Sequence, residues 1–251
     1  MKSTERRHLK ENELAHSLSN AREYIEPRRK QLTTGLVVLV VVLIAVVAFN
    51  AMRRRSASEG QELLAQAMVA LNARVVPAAP GDPADVPAAA TFNATGTFST
   101  EEAKLKAALP KLKAAADAYP DSNAGVQARY HMAGAYAALG QFNDAAREFD
   151  EVAKRAGNDS LYGRMAKLGK ADTLTRSNQL DAAIASWKEL AAQKEGSLPQ
   201  DAILMELGRA YMQKGSRDEA KKTYTELVEQ HPDSVYAGEA RQELETLKRA
   251  A

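Results

Sequence analysis

Four histidines, His8, His16, His131 and His231, are the side chains of this 251-residue chain that ordinarily titrate near neutral pH. Metal binding or acid–base work would need them paired or beside carboxylates. They are scattered instead: none falls in His-Glu-x-x-His or at another ligand spacing. The chain has no cysteine, which excludes a thiolate zinc site, an iron–sulfur centre, a cysteine nucleophile and a disulfide-stapled fold. Neither Gly-x-x-x-x-Gly-Lys-Ser/Thr nor Gly-x-Ser-x-Gly occurs. Asp150-Glu151 and Asp218-Glu219 are adjacent acids, but neighbours on a helix point in different directions and make no acid–base pair. Asn93-Ala94-Thr95 and Asn158-Asp159-Ser160 match the glycosylation triplet, a pattern that arises often by chance. The expectation is a chain that is not an enzyme, with no cofactor, no metal site and no small-molecule substrate.

Binding is the chemistry left, and the elements that would carry it repeat. Pro120-Asp121-Ser122 and Pro232-Asp233-Ser234 share a core 112 residues apart, about three periods of 37. Within Asp201–Pro232, Gly208 lets two helices approach and Tyr211 fills the gap between them. Gly215 supplies a left-handed turn residue, Ala220 is the small contact on a second helix, Tyr224 and Leu227 pack back, and Pro232 ends the unit. An earlier unit matches with Ala133, Tyr136, Gly140, Phe142, Ala145, Phe149 and Val152. A middle unit matches with Ala171, Leu174, Asn178, Leu180, Ala183, Trp187 and Leu190, with asparagine at the turn because it tolerates the left-handed region. A register placing Leu168-Gly169 at the Leu-Gly position needs a longer turn and ranks below this one.

These spacings resemble the tetratricopeptide repeat. The resemblance implies an all-α fold, an α-solenoid of tetratricopeptide helix hairpins over residues 99–251 with full repeats at about 126–159, 164–197 and 201–234. Ser99 and Glu102 form a capping-box pattern for a helix that runs to about Ala118 and should kink at Pro110; it stands as the second helix of a unit whose first helix is missing. Ala237–Ala250 reads as a polar-faced terminal cap. Binding then belongs on the concave surface of the first helices, where Tyr130, His131, Leu168, Asp172, Met205, Arg209 and Met212 are the candidate groove residues. This mixture suits an apolar peptide segment of a partner protein with limited polar steering. The family's carboxylate clamp of Lys and Asn is absent, which argues against a receptor for chaperone tails.

Anchorage is written in one segment. Thr33–Met52, TTGLVVLVVVLIAVVAFNAM, contains no Lys, Arg, Asp or Glu. As a helix, about 20 residues span roughly 30 Å, the thickness of a bilayer's hydrocarbon core. Arg28, Arg29 and Lys30 bracket it on one side, Arg53, Arg54 and Arg55 on the other. Residues 33–52 are therefore expected to cross a lipid bilayer as an uncleaved signal-anchor. The tail 1–32 holds eight Lys/Arg against five Asp/Glu, and four basic residues near the span oppose three beyond it, which points the tail inward. Residues 53–251 hold 26 against 27, so the net charge of +2 offers no drive toward nucleic acid.

Leu14, Leu18, Ala21 and Ile25 suggest a short amphipathic helix in the tail. Residues 53–74 read as a juxtamembrane helix, and 75–98, with Pro77, Pro80, Pro83 and Pro87, as a Pro/Ala-rich linker that includes a loop TFNATGTF. The Pro-Asp-Ser punctuation and the single span together resemble bacterial envelope tetratricopeptide proteins, the ancillary Sec translocon subunit family in particular. That resemblance implies a cell inner membrane location, a periplasmic repeat domain, and a scaffold linking the Sec translocon to envelope folding factors or chaperones. The alternative is a structural, self-assembling envelope spacer or division-complex component with no client peptide.

Overall fold

The computed structural model describes residues 29–76, 96–157, 159–193 and 198–249. The basic tail with its Leu14–Ile25 pattern, the prolines from 77 to 87, the Asn93 triplet and Asn158 lie outside the described residues. The chain divides into two units, Met1–Arg55 and Ser56–Ala251.

The described part of the first unit belongs to helix α1 (Arg29–Leu71). Its stretch Thr33–Ala51 is long and apolar enough to cross a membrane, and none of it is buried by protein. Valine and leucine dominate there, from Leu36 to Val47, and all of these side chains are exposed.

The second unit takes in the end of α1 and continues through β1 (Arg74–Val75), β2 (Thr97–Phe98), α2 (Glu101–Ala118), α3 (Asn123–Ala138), α4 (Phe142–Ala156), α5 (Leu161–Arg176), α6 (Leu180–Ala192), α7 (Gln200–Lys214), α8 (Arg217–Gln230) and α9 (Ala237–Arg249). Hairpins α3–α4, α5–α6 and α7–α8 carry the three repeats that the sequence spacing marks, and α9 closes the last core with Ala237, Ala240 and Leu247. Each hairpin turns through one residue at positive φ: Gly140 at 72°, Asn178 at 59° and Gly215 at 81°. Asn178 is the single non-glycine in that region among the described residues. Valine there is expected to cost about 1–2 kcal/mol, while Asn178→Gly should be near neutral; urea unfolding followed by the buried Trp187 would read both.

Small residues at the helix contacts set the register. Ala171 shares a core with Ala183 and Trp187, as the middle unit requires. Gly169 instead makes room for the preceding hairpin: a Cβ there would lie 2.5 Å from Phe149 Cζ. The alternative Leu168-Gly169 register is thereby excluded.

Three features differ from the sequence reading. The first unit has both of its helices, because Leu64, Ala67 and Ala70 at the end of α1 pack with Ala108, Leu112 and Ala115 of α2. The insertion after Leu71 separates the two halves of that hairpin and hides their spacing. Its ends meet again, since β1 pairs with β2 in parallel, Arg74 opposite Thr97, and the Val76 N–H donates to the Phe98 carbonyl at 2.8 Å. The stretch read as a loop thus supplies a strand. Finally, Thr100, not Ser99, caps α2, its side chain accepting from the Ala103 N–H at 3.1 Å. Helix α2 then runs on through Pro110.

The Pro-Asp-Ser punctuation is a built turn. Ser122 accepts from the Gly125 N–H at 3.0 Å and donates to the Tyr119 carbonyl at 2.8 Å, starting α3. Ser160 repeats this with Gly163 at 3.0 Å and Gly157 at 2.9 Å, starting α5. The Asp159-Ser160 pair, noticed in the sequence as part of a glycosylation triplet, is the middle copy of the punctuation. Either serine changed to alanine is expected to lose about 1 kcal/mol, within the usual range for N-caps, measurable by the same unfolding experiment.

Candidate partner-binding face

The proposed groove residues lie on α3, α5 and α7, the first helices of the three hairpins. Aligning those helices sorts them into rows. Tyr130, Leu168 and Met205 occupy equivalent places; so do Gly134, Asp172 and Arg209, and so do Ala138, Arg176 and Gln213.

The first row closes along the chain. Tyr130 is half-buried and sits among rings, its centroid 5.7 Å from His131, 5.8 Å from Phe149 and 5.6 Å from Tyr162, all edge-on. Leu168 is partly covered by the core of α5, α6 and α7. Met205 is 0% exposed, packed with Leu204, Tyr224 and Ala237. Its assignment to the groove is therefore corrected: the capping helix α9 completes the core over it, and it cannot touch a partner. Met212, partly buried, packs against the same core.

The second and third rows stay open. Gly134, Ala138, Asp172, Arg176 and Gln213 are exposed, and Arg209 is half-exposed. A Cβ at Gly134 would meet nothing within 4 Å. Arg176 pairs with Asp172 at 3.7 Å, donates to the Ala137 carbonyl at 3.2 Å and stacks over the Phe142 ring at 5.4 Å. Arg209 is held by Glu206 on its own helix and by Glu239 of α9 at 2.6 Å. The accessible face thus grades from small and uncharged on α3 to charged on α5 and α7. Sequence reading found Asp172 and Arg209 but passed over Gly134, Ala138, Arg176 and Gln213, although the repeat spacing alone marks them as equivalents.

His131 carries a testable electrostatic signature. Desolvation by burial holds its imidazole below the ordinary value of 6.5. The neutral form is favoured in the fold, so this histidine contributes stability above the unfolded value, lost as pH falls through the folded one. An NMR titration of His131 is expected to show a midpoint below that of an exposed histidine, and His131→Leu should blunt the loss of stability on acidification from pH 7.5 to 5. A midpoint at or above 6.5 would contradict the burial.

With the hairpins, their turn residues and their contacts in place, the relation to known proteins is plain. A tetratricopeptide repeat model matches residues 99–168 and 174–244. That is more than half of the chain, which belongs to the tetratricopeptide repeat family. As such it is a scaffold for protein–protein interaction. No curated protein matches the chain. Among solved structures it is similar to a putative kinesin light chain of Podosopora anserina with nearly identical TPR-like repeats, at 17% identity over 59% of this chain and 79% of that one, TM-score 0.49. It is also similar to MamA from Desulfovibrio magneticus RS-1, at 21% identity over 59% of this chain and 87% of that one, TM-score 0.44.

Proposed function

We propose that this chain is a single-pass inner-membrane scaffold whose exported repeat domain docks partner proteins through the open face of α3, α5 and α7, coupling the Sec translocon to envelope folding factors. The observation that carries the anchoring is the uncovered run Thr33–Ala51. Each exposed valine or leucine is worth about 1.5–3 kcal/mol on removal from water, and none of the described residues covers them. A bilayer does. The basic tail ahead of the run, richer in Lys and Arg than the segment after it, supports an inward N-terminus.

Docking is read from the open rows. Small residues on α3 give an extended segment room to lie against the helix, and the charges at Asp172, Arg176 and Arg209 fix its direction. No catalysis is assigned to this face. Among the described residues no group of three His, Cys, Asp or Glu is placed to hold a metal ion.

Two measurements test the reading. A topology reporter fused after Ala251 should be active only outside the cytoplasm; cytoplasmic activity would overturn the orientation and the partners with it. Gly134→Arg fills open space on a helix without a clash, so the fold should survive while affinity capture from solubilised membranes loses its partners. An unchanged partner set would remove this face from consideration.

A further inference from the structure

The second helices of the three hairpins carry an aromatic side chain at one equivalent place: Phe149, Trp187 and Tyr224. Phe149 has no polar atom to satisfy. The Trp187 indole N–H donates to the Thr175 hydroxyl at 3.0 Å. Tyr224 is 1% exposed, yet among the described residues its hydroxyl has no hydrogen-bond partner. Buried polar groups are ordinarily paired, so the exception calls for a reason. The ring crosses α7 at Gly208, and its hydroxyl end comes out among charges. After the desolvation that raises the phenol's pKa most, the groups acting on it are Glu243, Arg209, Glu239 and Glu206. The oxygen is not sealed off, because the trace of exposure that the residue keeps lies there.

Three carboxylates here face one guanidinium, which leaves two negative charges over. Arg209 is shared by Glu206 and by Glu239, the latter at 2.6 Å. Glu243, half-buried on α9, has no ion pair or hydrogen bond among the described residues. Glu239 and Glu243 are four residues apart on α9, a spacing at which like charges oppose the helix. Glu206 stands where α3 has His131 and α5 has Gly169, so the acids gather at the last-repeat end of the open face. Uncompensated acids beside a buried hydroxyl that bonds nothing break local rules without a packing gain, the mark of a functional position. Among the described residues no three acids are placed to hold a metal ion, so the surplus suits a wider, organic cation.

We infer that this end of the open face, between α7 and α9, receives a lysine or arginine side chain from a basic segment of a partner protein. The donors of that cation meet the free Glu243 carboxylate, and the Tyr224 oxygen, which can accept as well as donate, supplies a neutral acceptor beside it. The inference rests on the reading of α3, α5 and α7 as the docking face, and it names the chemistry that the charged end of that face recognises.

The test is fluorescence anisotropy of a labelled hexalysine peptide titrated with the full chain in nonionic detergent micelles at low salt. Saturable binding is expected, weakened about tenfold by Glu206→Gln/Glu243→Gln and about threefold by Tyr224→Phe, which removes a hydroxyl and no charge. Tyr224→Phe should melt no lower than the native chain, since the hydroxyl bonds nothing in the free protein. Glu226→Gln/Glu229→Gln, on the exposed face of α8, removes the same formal charge as the first pair and should leave affinity unchanged. Absence of saturable binding, equal loss in both glutamate pairs, full affinity or a lowered melting temperature in Tyr224→Phe, or saturable calcium binding at these carboxylates without hexalysine binding would each overturn the proposal. If partner capture withstands Gly134→Arg while the titration behaves as expected, only the wider docking face falls. If capture is lost with Gly134→Arg and hexalysine does not bind, only the cation site falls.

Discussion

Glu148→Ala is expected to destabilise the repeat domain by about 3 kcal/mol, at the lower end of what is measured when one partner of a buried ion pair is removed. Glu148 on α4 and Arg129 on α3 meet at 2.6 Å with side chains 10% and 11% exposed. Alanine would strand the guanidinium between helices, its Nε already without a hydrogen-bond partner. The loss stays below the top of the range because Asp117 of α2 still reaches Arg129 at 3.1 Å. Asp117 is itself held below the usual carboxylate range, chiefly by the hydrogen bond from Lys113. Urea unfolding followed by Trp187, the single tryptophan, together with far-ultraviolet circular dichroism, would measure the change. A cost under about 1 kcal/mol, the level of an exposed pair, would show that water compensates the charge.

The same geometry predicts that removing both partners is milder than removing one. Arg129 occupies the place that Leu204 takes in the third hairpin, so leucine is already compatible with that position in this repeat. Arg129→Leu/Glu148→Leu is expected to fall within about 1 kcal/mol of the native chain, as apolar replacements of buried ion pairs commonly do. The pair is then a specifier of how α2, α3 and α4 meet rather than a net source of stability. At the next joint Lys167 takes the place of Arg129 and reaches Glu189 of α6 at 3.2 Å.

How far the sequence reached depends on whether a residue's role was local. Gly140, Asn178 and Gly215 were legible because a left-handed turn is decided by the residue that adopts it. Gly208 and Ala220 were legible because the unit repeats. The helix that pairs with α2, the end of α1, was not, since 29 residues separate Leu71 from Glu101 and the spacing that identifies a repeat is destroyed by such an insertion. Thr100 was passed over because Ser99 and Glu102 offered a capping pattern one residue early, and only the extended backbone at Thr100 decides between them. Met205 was misplaced for a different reason: its position on α7 matches Tyr130 and Leu168, but α9 covers the last repeat and not the others. Terminal capping is a tertiary fact, and it changes exposure without changing the motif.

Tyr224→Ala carries the other large expected effect, about 3–5 kcal/mol, the range for deleting a large aromatic side chain from a core. Tyr224 is among the largest fully buried side chains, packed with Leu204, Met205 and Leu227. Burial pushes its phenol well above the usual tyrosine range. The ring lies directly against Gly208: a Cβ there would sit 2.7 Å from both Cδ1 and Cζ. Gly208→Ala alone should therefore cost about 1–3 kcal/mol through overpacking, despite alanine's better helix propensity. In the Tyr224→Ala background the clash is gone, and the same change should become stabilising by about 0.5–1 kcal/mol, the helix-interior difference between glycine and alanine. The double-mutant cycle thus predicts a reversal of sign at Gly208. If Gly208→Ala were equally harmful with and without the tyrosine ring, close approach of α7 and α8 through that ring would not be what selects glycine there.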